Sequence, residues 1–126
     1  MSRTEVLIID DDPGVLFYHE LMVKESGLSE KPLTFNNAEK ALHYINSKRF
    51  EDINLLIFLD LNMPKVSGWE LLDTLTKGNF KNIDQVIIVT SSLSLSDKAK
   101  AKEYKLVKNF WEKPLTEKNC KSLMDS

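Results

Sequence analysis

The stretch LIIDDDPGV, residues 7–15, carries an apolar run straight into three consecutive aspartates and a proline. An apolar run of this length that ends in turn residues suits a strand buried on both faces. The aspartates then lie at its carboxyl end. Asp12 followed by Pro13 has the pattern of an N-cap and a first helical position, so a helix is expected from residue 13. Asp10 and Asp11 are more than capping needs. Carboxylates this close repel one another, and any that lose water need a cation to stay ionised.

The same pattern recurs along the chain. INLLIFLD, residues 53–60, is a second apolar run that stops on an aspartate, and QVIIVT, residues 85–90, a third that stops on Thr90. PLTF (32–35) and NFWE (109–112) read as shorter strands, with EVLIID (5–10) the first. Helices are expected between them. The first carries Val15, Leu16, Leu21, Met22 and Leu28 at roughly helical spacing and breaks at Gly27; the second covers 36–49, with Ala38, Ala41, Leu42 and Ile45 on one side. The third covers 69–77, after the loop NMPKVSG, with Ser67 as cap and Gly78 as stop; the fourth is KAKAKEYK (98–105), after the polar link SSLSLSD; the last runs from Thr116 to the end.

Strand and helix alternate about five times, which predicts an α/β fold with a parallel sheet and helices on both faces. In such sheets ligands collect outside the carboxyl ends of the strands. Asp10, Asp11, Asp60, Thr90 and Lys113 all fall there.

Bulk composition narrows the function. At 126 residues the chain is read as one domain, and 42% hydrophobic with 29% charged residues is ordinary globular composition. A net charge of −2 advertises no nucleic-acid surface. The single Cys120 can form no intramolecular disulfide, and no Cys/His cluster offers a zinc site, so a reducing, cytoplasmic setting is expected. No export signal and no membrane-length apolar run is seen in the sequence.

The acidic cluster of Asp10, Asp11 and Asp60 is a hard-oxygen set suited to Mg²⁺. Thr90 offers a hydroxyl donor and Lys113 a compact positive charge, both suited to phosphoryl oxygens. Together these make a site for a phosphoryl group with one carboxylate as nucleophile.

Four motifs, IIDDD, LDLNMPKVSGWELL, VIIVTSS and NFWEKPL, stand in one order that resembles the receiver domain of two-component response regulators across essentially the whole chain. The resemblance implies a flavodoxin-like, doubly wound five-stranded sheet of order 2-1-3-4-5 flanked by five helices, here a single-domain protein spanning 1–126 with no output domain. It implies Asp60 as phosphoacceptor. Mg²⁺ would be held by the acidic pair Asp10 and Asp11, with Asp11 favoured as the direct ligand, together with Asp60 and the backbone carbonyl of Asn62. Thr90, the Ser91 N–H and Lys113 would hold the phosphoryl group, with a cis bond before Pro114. Thr90 and Phe110 would form a switch that reshapes the face made by the fourth helix, fifth strand and fifth helix.

A protein of this kind is a phosphoacceptor rather than an enzyme, although it assists its own phosphorylation and dephosphorylation. The implied partners are a sensor histidine kinase or histidine phosphotransfer protein and a downstream target protein, with no nucleic acid and no membrane insertion, as a monomer or a phosphorylation-dependent dimer. Departures from the family pattern are Ser91, where a small apolar residue is usual, Leu106 in place of a Gly-Ala pair, and a short polar fourth helix. The lysines at 98, 100, 102, 105 and 108 read as a solvated face bordering the output surface. Trp69 and Trp111 are assigned to packing or partial exposure, and His19 and His43 to satisfied structural roles.

Other readings fit less well. A haloacid-dehalogenase-type phosphatase wants a second aspartate where Asn62 stands. A flavodoxin-like redox protein lacks a phosphate loop after the first strand. The remaining alternative is a receiver-like protein-interaction module that works without phosphorylation.

Overall fold

A computed structural model describes residues 3–91 and 94–124. Every apolar run is a strand: β1 (Arg3–Ile9), β2 (Leu33–Phe35), β3 (Ile53–Leu59), β4 (Ile83–Thr90) and β5 (Val107–Glu112). Each is followed by a helix: α1 (Pro13–Ser26), α2 (Ala38–Ser47), α3 (Gly68–Lys77), α4 (Leu95–Ala101) and α5 (Glu117–Ser122). All four strand pairings are parallel, and the order is β2-β1-β3-β4-β5, as expected.

The pleat explains the two layers of helices. Leu7, Ile9, Leu55, Ile57, Leu59, Val86 and Ile88 point into one core with the buried residues of α2 and α3. Their neighbours Val6, Ile8, Leu56, Phe58, Ile87 and Val89 point into a second core with Leu16, Val23, Leu115 and Cys120. Burying one such side chain is worth roughly 1.5–3 kcal/mol, so a sheet apolar on both faces is stable only when both are covered. Among the described residues no helix is long and apolar enough to cross a membrane.

The helix ends follow local chemistry. The Asp12 side chain accepts hydrogen bonds from the N–H groups of Gly14 and Val15, Pro13 opens α1, and Gly27 closes it at φ 85°. Asn37 and Ser67 cap α2 and α3, and Thr116 closes a capping box on α5 with Asn119.

Several expectations need correction. The buried stripe of α1 is Leu16, His19, Val23 and Ser26, while Leu21 faces outward at 38% exposure. Two polar side chains can lie on that stripe because each is satisfied: Ser26 Oγ donates to the Val23 carbonyl and accepts from the Leu28 N–H, and His19 accepts from the Leu115 N–H. His43 is on the solvent face of α2, not in a satisfied structural role. Gly68 is the first residue of α3 rather than loop, and Gly78 ends that helix in a right-handed conformation, the left-handed turn falling on Asn79 at φ 52°.

The fourth helix starts and stops earlier than expected. Ser94 caps it, and it ends at Ala101 because tighter bonds close a turn from Glu103 to Lys100 and from Tyr104 to Ala101. Tyr104 is drawn to α3, where its ring stacks on Trp69 and its hydroxyl donates to Asp73 at 2.6 Å. The last helix covers only six residues. The expected helix to residue 126 and the polar link through Ser92 and Leu93 extend outside the described residues.

Candidate functional site

The register of the sheet assembles the site. Ile9 pairs with Leu59 at the last rung between β1 and β3, so the next residues, Asp10 and Asp60, emerge side by side. The Asp60 N–H still donates to the Ile9 carbonyl at 3.0 Å, and the Asp10 N–H to the Phe35 carbonyl at 3.1 Å. Both carboxylates are therefore held on rigid backbone, at 2% and 3% exposure.

Lys113 arrives from the far side of the sheet. Thr90 pairs with Glu112 at the end of β4 and β5, and the Lys113 N–H donates to the Thr90 carbonyl at 2.7 Å. From there the Lys113 ammonium reaches Asp10 Oδ2 at 2.6 Å and Asp60 Oδ2 at 3.5 Å. The bond between Lys113 and Pro114 is cis. Thr90 is buried at 1%, Ser91 is exposed just beyond it, and Asn62 is exposed with its N–H donating to Asp60 Oδ1 at 3.4 Å.

Ligand oxygens of Asp10, Asp11 and Asp60 lie within 4.8 Å of one another. The set is all oxygen and exceeds the Lys113 ammonium in charge, so its chemistry fits a hard divalent cation such as Mg²⁺. Of the three, Asp10 already has partners on both oxygens, its Oδ1 accepting the Asp12 N–H at 2.9 Å and its Oδ2 holding Lys113, whereas Asp11 is exposed to solvent.

Electrostatics reflect the crowding. Burial, then the Asp10 charge, push the Asp60 carboxyl up to about 6, against the downward pull of Lys113 and the Asn62 N–H. Burial pulls the Lys113 ammonium down, but the Asp10 hydrogen bond and the charges of Asp10 and Asp60 outweigh it and hold it above its ordinary value. Burial drives the His19 imidazole down to about 4, with Asp10 opposing and Lys113 assisting.

The structure thus brings together Asp10, Asp11, Asp60 and Lys113 with Thr90 beside them. Phe110 is apart. It is half-buried against the α2/α3 core and lines a groove of 270 Å³ with Lys98, Ala101, Lys102, Val107, Lys108 and Asn109.

One residue against the site, Gly68, was not singled out in the sequence. A Cβ on Gly68 would stand 2.5 Å from the Asp60 carbonyl oxygen and 2.8 Å from Leu61 Cα, so only glycine lets α3 start against the Asp60 backbone. Its one signal was a glycine directly after the cap Ser67. His19, expected in a satisfied structural role, is in one: it lies on the buried stripe of α1 and accepts from the Leu115 N–H in the loop after Lys113, a partner that no local pattern announces.

Residues 6–125 match the family model described as the response regulator receiver domain. The chain is 33% identical over 98 residues to the heme response regulator HssR of Staphylococcus saprophyticus, covering 78% of this chain and 40% of that protein. It therefore spans less than half the length of that curated relative. Among solved structures, a two component response regulator from Cytophaga hutchinsonii superposes with a TM-score of 0.83 at 30% identity, covering 99% of this chain and 96% of that one. A response regulator receiver protein from Dyadobacter fermentans gives 0.84 at 25% identity, covering 97% and 95%.

Proposed function

The chain belongs to the response regulator receiver domain family, and from that premise we propose that it accepts a phosphoryl group on Asp60 and signals through the change this forces on its neighbours. The observation that carries the reading is the Lys113 ammonium set between two buried carboxylates, 2.6 Å from Asp10 and 3.5 Å from Asp60. A carboxylate used only for stability would not be buried beside a second one.

A carboxylate oxygen of Asp60 attacks phosphorus in a phosphohistidine of a sensor kinase or phosphotransfer protein. The P–N bond breaks, its electron pair returns to the imidazole, and an acyl phosphate remains on Asp60. A carboxyl pushed up to about 6 is still mostly ionised at pH 7, so the nucleophile is available without a general base. Asp10, Asp11, Asp60 and the Asn62 carbonyl are the groups to hold Mg²⁺, which when bound supplies charge neutralisation for the phosphoryl oxygens. Lys113 supplies a second, fixed positive charge, and the Ser91 N–H and Thr90 hydroxyl supply donors.

The added oxygens also bias the fold. Thr90 sits at the end of β4, the strand paired directly with β3 beside Asp60, and drawing its hydroxyl toward the phosphoryl group moves the end of that strand. Phe110 borders an open groove beside α4, which gives the ring room to change position. The surface of α4, β5 and α5 is then the output face for a downstream protein. A module that works without phosphorylation would have no use for the Asp60–Lys113–Asp10 arrangement.

The test is intact-mass spectrometry after incubation with Mg²⁺ and acetyl phosphate. Wild type should gain one base-labile phosphoryl group, and Asp60→Asn none. Equal labelling of the folded Asp60→Asn protein would place the phosphoryl group elsewhere and refute the assignment.

A further inference from the structure

We infer that His19 is a positioning residue for Lys113, holding through the Leu115 backbone the loop that aims the ammonium at Asp10 and Asp60. The inference rests on the phosphoacceptor reading for its consequence and on geometry for its mechanism.

Pro114 has no N–H, so the first backbone donor after that of Lys113 belongs to Leu115. Leu115 is fully buried in the apolar core beneath α1 and α5, and β5 has already ended at Glu112. A buried amide left without an acceptor loses its water and gains nothing in return, so an acceptor is needed. The acceptor comes from the other end of the chain: His19 Nε2 lies 3.0 Å from the Leu115 nitrogen, and the imidazole itself is only 2% exposed.

To accept there, the ring must be neutral with its proton on Nδ1. Its burial, which lowers the imidazole to about 4, keeps it in that state at neutral pH. Leu16 and Val23, its neighbours on the same buried stripe, are aliphatic, so what distinguishes histidine here is the bond it accepts from Leu115.

The bond makes α1 a bracket across the site. At the start of α1, Asp12 caps the helix and its own N–H donates to Asp10 Oδ1 at 2.9 Å, which orients that carboxylate. Two turns on, His19 fixes the backbone two residues after Lys113, while the Thr90 carbonyl fixes Lys113 itself at 2.7 Å. One helix therefore sets both partners of the 2.6 Å ion pair. Lys113, on a flexible four-carbon stem, is aimed only as well as its backbone is held.

The experiment compares His19→Leu, which keeps the volume and removes the acceptor, with His19→Gln, whose amide oxygen replaces it. The rate of phosphoryl-adduct formation with Mg²⁺ and acetyl phosphate should fall at least tenfold in His19→Leu and return to within about threefold of wild type in His19→Gln. In a Lys113→Ala background, His19→Leu should add less than a twofold change, because its effect passes through the lysine. A wild-type rate in folded His19→Leu, no rescue by Gln, or an undiminished effect without Lys113 overturns the inference.

Nitrogen-15 spectra of the unmodified protein provide a second measurement that needs neither folding of a variant nor phosphorylation. Nε2 of His19 should be unprotonated at pH 7, the Leu115 amide should exchange slowly, and the Lys113 ammonium protons should be retained as those of a held ion pair. A protonated Nε2 or a fast Leu115 amide overturns the inference by itself. If instead wild type takes no phosphoryl group while these signatures hold, the phosphoacceptor reading fails and the positioning contact stands.

Discussion

Gly68→Ala places two physical effects in direct opposition. Alanine is the better helix former by up to about 1 kcal/mol, so propensity alone predicts that the first residue of α3 gains stability from the change. The packing predicts the reverse. The new Cβ would lie 2.5 Å from the Asp60 carbonyl oxygen, 2.8 Å from Leu61 Cα and 3.2 Å from the Asp60 carbonyl carbon. Ordinary contacts are about 3.5–4.0 Å, so α3 and the Asp60 backbone must separate by about 1 Å. The opposing atoms are backbone and cannot rotate away, and the Gly68 N–H to Leu61 carbonyl bond of 3.0 Å lies in the path of the shift.

Overpacking of this kind costs about 1–3 kcal/mol, which outweighs the propensity gain. For a chain of this size that is a fall in Tm of about 4–11 °C. Because the displaced backbone is that of Asp60, a misplacement of about 1 Å should also slow adduct formation by on the order of 10²-fold. Urea unfolding and timed mass spectrometry read the two effects. Gly14→Ala is the control, since its Cβ meets only the Asp12 side-chain oxygen, at 3.3 Å, and stability should change by less than about 1 kcal/mol. A Gly68→Ala protein as stable as wild type, or more so, would show that α3 does not rest on the Asp60 backbone as described.

Asp60→Asn should stabilise the metal-free protein at pH 7 by about 3 kcal/mol. The folded carboxyl binds a proton up to about pH 6 whereas a free one releases it near 3.8, so wild-type stability falls as pH rises through that window. The gain should be complete above the window and absent below it; urea midpoints in EDTA at pH 7 and pH 4 measure it, and an equal gain at both would exclude the carboxylate as its source. His19 has the opposite sign. Its folded value of about 4 lies below the ordinary 6.5, so it contributes stability that is present above pH 6.5 and lost as pH falls toward 4, again about 3 kcal/mol. The two slopes offset in wild type, and removing Asp60 should expose the His19 loss on acidification; a flat profile in metal-free Asp60→Asn would contradict the buried neutral imidazole.

What the sequence by itself determined is the part written in local hydrophobic pattern. The apolar runs before Asp10, Asp60 and Thr90 mark strands buried on both faces, and Asp12-Pro13, Ser67 and Thr116 mark helix starts, because burial period and capping depend on residues a few positions apart. Alternation of the two gave the parallel sheet, and with it the edge on which Asp10, Asp11, Asp60, Thr90 and Lys113 collect. The ends of α4 were less legible, since Tyr104 leaves the helical pattern to meet Trp69 and Asp73 on another helix. His43 and Leu21 were misplaced because sequence spacing does not say how a helix is rotated on its sheet.

Only the tertiary structure decided the distances on which chemistry depends. The rung that joins Ile9 to Leu59 sets Asp10 beside Asp60, the missing Cβ of Gly68 lets α3 close on the Asp60 backbone, and His19 meets an amide 96 residues away. The first and the last join segments far apart in the chain, and no short window of sequence contains both sides. Gly68 is separated from Asp60 only by a short loop, but its close approach exists only once α3 has packed against the end of β3.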